Sequence, residues 1–185
     1  SGKVTYPSSF MLVAAMNPCK CGHYGDPRTK CVCKKGDIKK YLSKISGPLI
    51  DRIDIQVEVA GLTYEELSSK ERGEPSADVR KRVNAARKFA SERLAEAMKS
   101  DPTITKITRN ADMTTRHLDR FCRLDDDAEE LLKNAYEKLK LSARGYDRLL
   151  RVARTIADLD ASESIKSLHI AEAIQLRSLD RKYWG

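Results

Sequence analysis

FMLVAAMNP, Phe10 to Pro18, is a nearly unbroken apolar run that stops at Asn-Pro. A short apolar run bounded by turn residues reads as a strand buried on both faces, the kind found in parallel sheets covered by helices. Pro18 has no N–H to give to a ladder, so the strand is expected to end by Asn17. One carboxamide is thereby set at the carboxyl end of a central strand. In open α/β sheets that is the edge where ligands bind.

The residues that follow are loop-like. Asn17 to Lys35 is rich in Cys, Gly and Lys and is longer than an ordinary connection, which points to a functional or metal-stapled loop. It holds four of the five cysteines, as Cys19-x-Cys21 and Cys31-x-Cys33. Four converging thiolates suit a closed, structural tetrahedral zinc or a similar soft metal, although the one-residue spacing is tighter than usual. Unliganded thiols are the other reading, and His23 can stand in for one cysteine. In the absence of a signal peptide, a reduced cytoplasmic chain is expected, which favours metal over disulfides. Cys122 stands apart and reads as a small core residue.

Further on, Asp37 to Lys44 suits a short helix with Ile38, Tyr41 and Leu42 on one face. Pro48 suits the first turn of another. That second helix must be brief, because Ile53, Ile55, Val57 and Val59 alternate with Asp54, Gln56 and Glu58, the period of a half-buried strand. Arg52 falls where helix meets strand. On its own it could equally pair with Asp51 or Asp54 at the surface.

Residues 1–60 therefore read as an α/β piece with few strands, and the acidic stretch 61–75 reads as a linker. Residues 76–185 read as a helical bundle, so the chain is mostly helical. Ser76 is a plausible cap for a helix to about Lys99, with Val79, Val83, Ala86, Ala90, Leu94 and Ala97 in one stripe, and Asp101-Pro102 ends it. Helices follow over about Thr114–Arg123, Asp126–Leu141, Ala143–Asp160 and Ser167–Ser178. Leu149, Leu150, Val152, Ala153, Ile156 and Leu159 are expected to face inward from the fourth of these five. Arg144 lies in that helix's first turn, where a cation opposes the dipole and invites an anion nearby.

Composition narrows the class. Charged residues make up 34% and aromatics 6% of 185 residues, and the net charge is +8. Most of that charge lies between Arg28 and Lys44, where seven bases face one acid, Asp37. Lys34, Lys35, Lys39 and Lys40 form its densest part, which suits phosphate or nucleic acid. A solvated lysine-rich loop is the alternative. No apolar run approaches the length of a membrane span.

In order along the chain there are a strand ending in Asn, a short PLIDR helix ending in Arg, and a helix opening with Ser-x-Arg. VAAMNPCKCGHYGDP, CVC, SKISGPLIDRIDIQVEV and LSARGYDRLLRVARTIADL together resemble the magnesium-chelatase-like AAA+ ATPases of the ComM (YifB) type. The resemblance is loosest between about Leu62 and Asp112. It implies the C-terminal part of a P-loop AAA+ core followed by an all-α lid. By its motifs Asn17 corresponds to sensor 1 and Arg52 to the arginine finger that reaches a neighbouring subunit's nucleotide. Arg144 corresponds to sensor 2, contacting phosphates from the lid. It further implies ATP and Mg2+ as cofactors, a hexameric ring, DNA as partner, and branch migration in recombination during natural transformation.

One departure governs the enzyme expectation. The sequence has no GxxxxGK[ST] and no apolar strand ending in Asp-Glu, so phosphate cradle and magnesium carboxylate are both missing. The chain is expected to be a fragment of an ATPase and inactive by itself. Two other readings stand beside it. A four-cysteine nucleic-acid-binding module explains the thiols and charge but not Asn17, Arg52 and Arg144. A magnesium chelatase subunit acting on a tetrapyrrole has no porphyrin site to support it.

Overall fold

The computed structural model describes residues 3–6, 10–69, 73–101, 104, 107–177, 179 and 183. Pro102 and Ser178, expected to close two helices, lie outside these residues, as do positions 70–72 of the expected linker. The chain forms two compact units, residues 1–45 and 46–185.

The first unit holds a segment without regular secondary structure, the cysteine loop and one helix, α1 (Lys35–Leu42), which buries Ile38 and Leu42. The expected strand at Phe10–Asn17 is not formed as such. The segment has neither helix nor strand, and Phe10 is 75% and Met11 87% exposed, with Leu12 and Val13 exposed too. The second expected strand differs in the same way. Ile55, Val57 and Val59 are exposed, and the Gln56 N–H donates to Leu176 O at 2.7 Å instead of to a neighbouring strand. The physical reason is that a strand is not autonomous: its N–H and C=O groups need a parallel or antiparallel neighbour. Among the described residues the one β-type pairing is an isolated parallel bridge between Leu124 and Ile165. The α/β core expected from the sequence is therefore not seen, while the mostly helical character is.

The second unit opens with the one-turn α2 (Gly47–Ile50), started by Pro48 in its first turn. The acidic stretch carries a small helix, α3 (Tyr64–Ser68). Thr63 caps it and Glu66 reaches back to the Thr63 N–H at 2.7 Å, a reciprocal capping box. α4 runs from Ser76 to Ser100, with Pro75 rather than Ser76 in the capping position. Only the far end of its predicted stripe is buried: Leu94 is 2% exposed, whereas Val79 and Val83 face solvent. A 3-10 turn (Asn110–Asp112) precedes α5 (Thr115–Phe121), α6 (Asp126–Lys138), α7 (Ala143–Leu159) and α8 (Ser167–Gln175).

α7 is the centre of this bundle and packs against α4, α5, α8 and the 3-10 turn, while α6 packs on α8. Its buried face is Leu149, Leu150, Val152, Ala153 and Ala157. Leu159, expected inward, is exposed at the last helical position. Met113, Leu118, Phe121, Leu132, Ile165 and Ile170 fill the space around it, and Cys122 is buried among them. Burial raises the Cys122 thiol to about 12, as suits an inert core sulfur.

A charged network that the sequence did not announce ties the bundle together. Arg154 is wholly buried, at 0% exposure. Its guanidinium donates to Asp158 Oδ1 at 3.1 Å, to Glu163 O at 2.8 Å and to Ser162 O. Asp158 also accepts from Arg93 of α4 at 3.0 Å and from Asn110 Nδ2 at 2.7 Å. One carboxylate thus joins α4, α7, the 3-10 turn and, through Arg154, the α7–α8 connection. Buried charges are tolerable only when paired and hydrogen-bonded in this way.

Candidate functional site

The cysteines are brought together. Their four sulfurs all lie within 4.8 Å of one another. Cys19 Sγ is 3.4 Å from Cys21 Sγ and 3.7 Å from Cys31 Sγ, and Cys21 and Cys31 are 3.5 Å apart. A tetrahedron of ~2.3 Å zinc–sulfur bonds has sulfur–sulfur edges of about 3.8 Å, so the spacing fits that ion. Tight turns make the convergence possible. Gly22 takes φ +84°, a conformation that favours glycine, with its N–H on Cys19 O at 3.1 Å.

The thiols are electrostatically unequal. The backbone N–H groups of His23 and then Val32 hold Cys21 down at about 6. The Cys33 N–H favours the Cys31 thiolate, but burial and the thiols of Cys21 and Cys19 outweigh it and push Cys31 up to about 12. Cys33 is raised as well; the Cys21 N–H opposes this, while the Cys21 thiol and burial drive it. Four sulfurs this close cannot all ionise without a cation among them, which is the behaviour expected of a metal-binding donor set. His23 is not in the cluster; its Nδ1 faces Asp26 Oδ2 at 3.5 Å. The other two histidines are structural. His117 Nδ1 accepts from Thr114 N at 3.1 Å and His169 Nδ1 accepts from Lys166 N at 3.0 Å, each closing the first turn of its helix.

Lys34 immediately follows the last cysteine and precedes α1, and Lys35, Lys39 and Lys40 lie on that helix. All four are exposed. The structure thus sets a short run of ammonium groups beside the thiol cluster on one contiguous piece of backbone.

Asn17 is exposed, at the end of the Phe10–Asn17 segment and at the entrance of the cysteine loop. Arg52 and Arg144 belong to the second unit. Arg52 sits just past α2, exposed, with Nη1 donating to Pro48 O at 2.9 Å. It pairs with neither flanking acid. Asp51 Oδ1 accepts from Arg177 Nη2 at 3.3 Å, and Asp54 Oδ1 accepts from Arg148 Nη1. Arg148 also donates to the main-chain oxygen of Arg52 at 2.7 Å. Among the described residues the Arg52 guanidinium has no carboxylate partner, while both neighbouring carboxylates are neutralised from the bundle. Arg144 is exposed in the first turn of α7, with no hydrogen bond or ion pair among the described residues. Ser142 Oγ caps that turn by accepting from Gly145 N at 3.0 Å.

Sequence reasoning missed Arg148 and Arg177. A signal existed for the first, since Arg148 follows Arg144 by four residues and so shares its helix face. None existed for the second, whose partner is 126 positions away.

Comparison with known proteins places these features in a family. Residues 73–177 match the family model described as magnesium chelatase, subunit ChlI C-terminal. Residues 1–67 match the one described as magnesium chelatase, subunit ChlI. The chain is 37% identical over 182 residues to the competence protein ComM of Haemophilus influenzae, covering 98% of this chain and 33% of that protein. It is 38% identical over 181 residues to the uncharacterized protein YifB of Escherichia coli, covering 97% and 33%. The YifB of Salmonella typhimurium is 36% identical over 183 residues, with 97% and 33% covered. The chain thus spans about a third of the length of the curated relatives it matches.

Proposed function

This chain belongs to the magnesium chelatase subunit ChlI family of AAA+ proteins, and from that membership we propose that it supplies the trans-acting and sensing half of a ring-forming ATPase motor. Arg52 is the arginine finger offered to the nucleotide of a neighbouring subunit in a ring, hexameric in our reading. Asn17 is sensor 1 and orients the attacking water, and Arg144 is sensor 2 and steadies the phosphates from the helical lid. The remaining parts, a phosphate-cradling loop and a magnesium carboxylate, belong to a longer protein, because no GxxxxGK[ST] occurs in these 185 residues. The 185-residue chain by itself is accordingly inactive as an ATPase.

The observation that carries this reading is the state of Arg52. A surface arginine between two aspartates would ordinarily pair with one of them, for a small gain. Here both aspartates are occupied by other arginines and the guanidinium stays exposed. Phosphoryl transfer is accelerated by charge placed around the γ-phosphoryl group, and an exposed cation not committed to a carboxylate, on a fixed backbone, is what that requires. Its single bond to Pro48 O is exposed and readily exchanged for another acceptor. Arg144 suits a similar task, since a cation at a helix N-terminus is locally unfavourable until an anion joins it.

The four thiols suit a structural zinc, which would staple the loop and present Lys34, Lys35, Lys39 and Lys40 to the phosphates of DNA. That pairing of staple and basic helix is also what a self-sufficient nucleic-acid module would use. It leaves the free Arg52 and Arg144 unexplained, and the motor reading is preferred for that reason. As the motor's task we propose branch migration during recombination of incoming DNA, in the cytoplasm; the similarity to a competence protein supports a part in competence.

The test is turnover by the full-length protein with Arg52→Ala. A finger contributes ~10³ to 10⁵ in rate, so ATP hydrolysis should fall at least a thousandfold while ring assembly persists. Unchanged hydrolysis would reject the assignment.

A further inference from the structure

We propose that Arg148 is the positioning residue of the Arg52 turn, locking that turn to the helix that carries Arg144, so that the two arginines are delivered as one rigid part. The inference rests on the reading of Arg52 as a finger and adds to it the group that aims the finger.

The geometry is specific about what is held. Arg148 does not touch the Arg52 guanidinium. Its Nη1 donates to the Arg52 main-chain oxygen at 2.7 Å and to Asp54 Oδ1. These bonds fix the backbone on which the finger is mounted and leave its guanidinium exposed, with its own bond to Pro48 O. Two further anchors hold the same short segment, Arg177 on Asp51 and the Gln56 N–H on Leu176 O. The turn after α2 is thus gripped by α7 and by the end of α8, although Arg148 stands 96 positions from Arg52 in sequence.

The placement on α7 matters as much as the bonds. Arg144 and Arg148 are four residues apart on one helix, about 6 Å along its axis and on the same face. α7 is also the most deeply anchored helix of the bundle, fixed by Leu149, Ala153, Arg154 and Asp158. Any movement of the bundle therefore carries Arg52 and Arg144 together. A lid free to move against the Arg52 turn would instead let them move apart. Because misplacing a catalytic group by about 1 Å can cost about 10²-fold in rate, a loose turn would waste the finger.

A residue acting through Arg52 predicts a particular pattern in the full-length protein. Arg148→Met should lower kcat for ATP about 10²-fold with KM little changed. Arg148→Lys, which keeps one donor, should recover part of the loss. In an Arg52→Ala background Arg148→Met should cost nothing more, since there is no finger left to aim. Ring assembly and thermal melting are followed alongside. If Arg148→Met fails to assemble, Asp54→Asn carries the test. That carboxylate is 55% exposed and its replacement should leave the fold intact; a smaller kcat loss, again absent without Arg52, is expected. Losses that multiply with Arg52→Ala, or an unchanged kcat in Arg148→Met or Asp54→Asn, would overturn this inference. If Arg52→Ala itself is silent, the finger reading falls first. If Arg52→Ala is crippling and Arg148→Met and Asp54→Asn are silent, only the positioning role falls.

Discussion

Replacing Cys21 by serine removes the thiol that the backbone is arranged to ionise, since the N–H groups of His23 and Val32 both favour its thiolate. If the four sulfurs hold zinc, the native chain should carry one zinc per chain and its thiols should resist alkylation. Cys21→Ser should abolish stoichiometric binding. Acidification should release the ion, because each ligand must be thiolate to bind and protons compete for it. Metal analysis and thiol titration with and without a chelator check this; four freely reactive thiols and no metal would refute it. At this scale the cysteine set could be read from spacing, since both Cys-x-Cys pairs fall in one short loop. The fate of Arg52 could not. Asp51 and Asp54 are its nearest neighbours in sequence, yet they answer to Arg177 and Arg148 through tertiary bonds that no local pattern reveals. His23 shows the reverse: proximity to the thiols in sequence did not make it a ligand, because its ring is turned toward Asp26.

α7 carries both the centre of the core and the exposed Arg144. Its first turn is held by Ser142 Oγ on the Gly145 N–H, and an N-cap of this type is worth ~1 kcal/mol. Ser142→Ala should therefore lower unfolding stability by about that amount. Leu149→Ala, at a wholly buried position, should cost about 2–5 kcal/mol through lost transfer energy and a cavity. Urea unfolding of the chain measures both, and comparable losses from the two substitutions would contradict this account of the helix. Helices were legible because their signals are local: Pro48 in a first turn, Asp125 accepting from Ala128 N at 2.8 Å, and Ser142 ahead of Ala143. The cap of α4 slipped by one residue, to Pro75, because proline supplies the extended backbone before a helix as readily as serine supplies an acceptor. Phe10–Asn17 and residues 53–59 formed no strands because apolar patterning states what a segment can pair with, not whether a partner is at hand.

For the whole molecule, charge decides the clearest measurement. Substituting Lys34, Lys35, Lys39 and Lys40 by alanine in the full-length protein should weaken DNA binding and flatten its dependence on salt. For every phosphate left without its lysine, the slope of log K against log salt becomes shallower by ~0.9 on duplex DNA. Binding and slope that stay as they were would remove this helix from the interface. The division of the chain after residue 45 was not legible, since Ser46-Gly47-Pro48 looks like an ordinary helix start. It arises because residues 51–56 are bound to the bundle by Arg148, Arg177 and Leu176. The Arg154–Asp158–Arg93 network was equally hidden, as 65 positions separate Arg93 from its aspartate. The exposed Phe10–Met16 segment has a practical corollary. Seven uncharged residues in a row, largely bare of cover and with no proline to interrupt them, have the make-up of an aggregation seed. Whoever purifies these 185 residues by themselves handles a sticky ribbon, and dilute samples or a charge placed within that ribbon are the remedy its chemistry suggests.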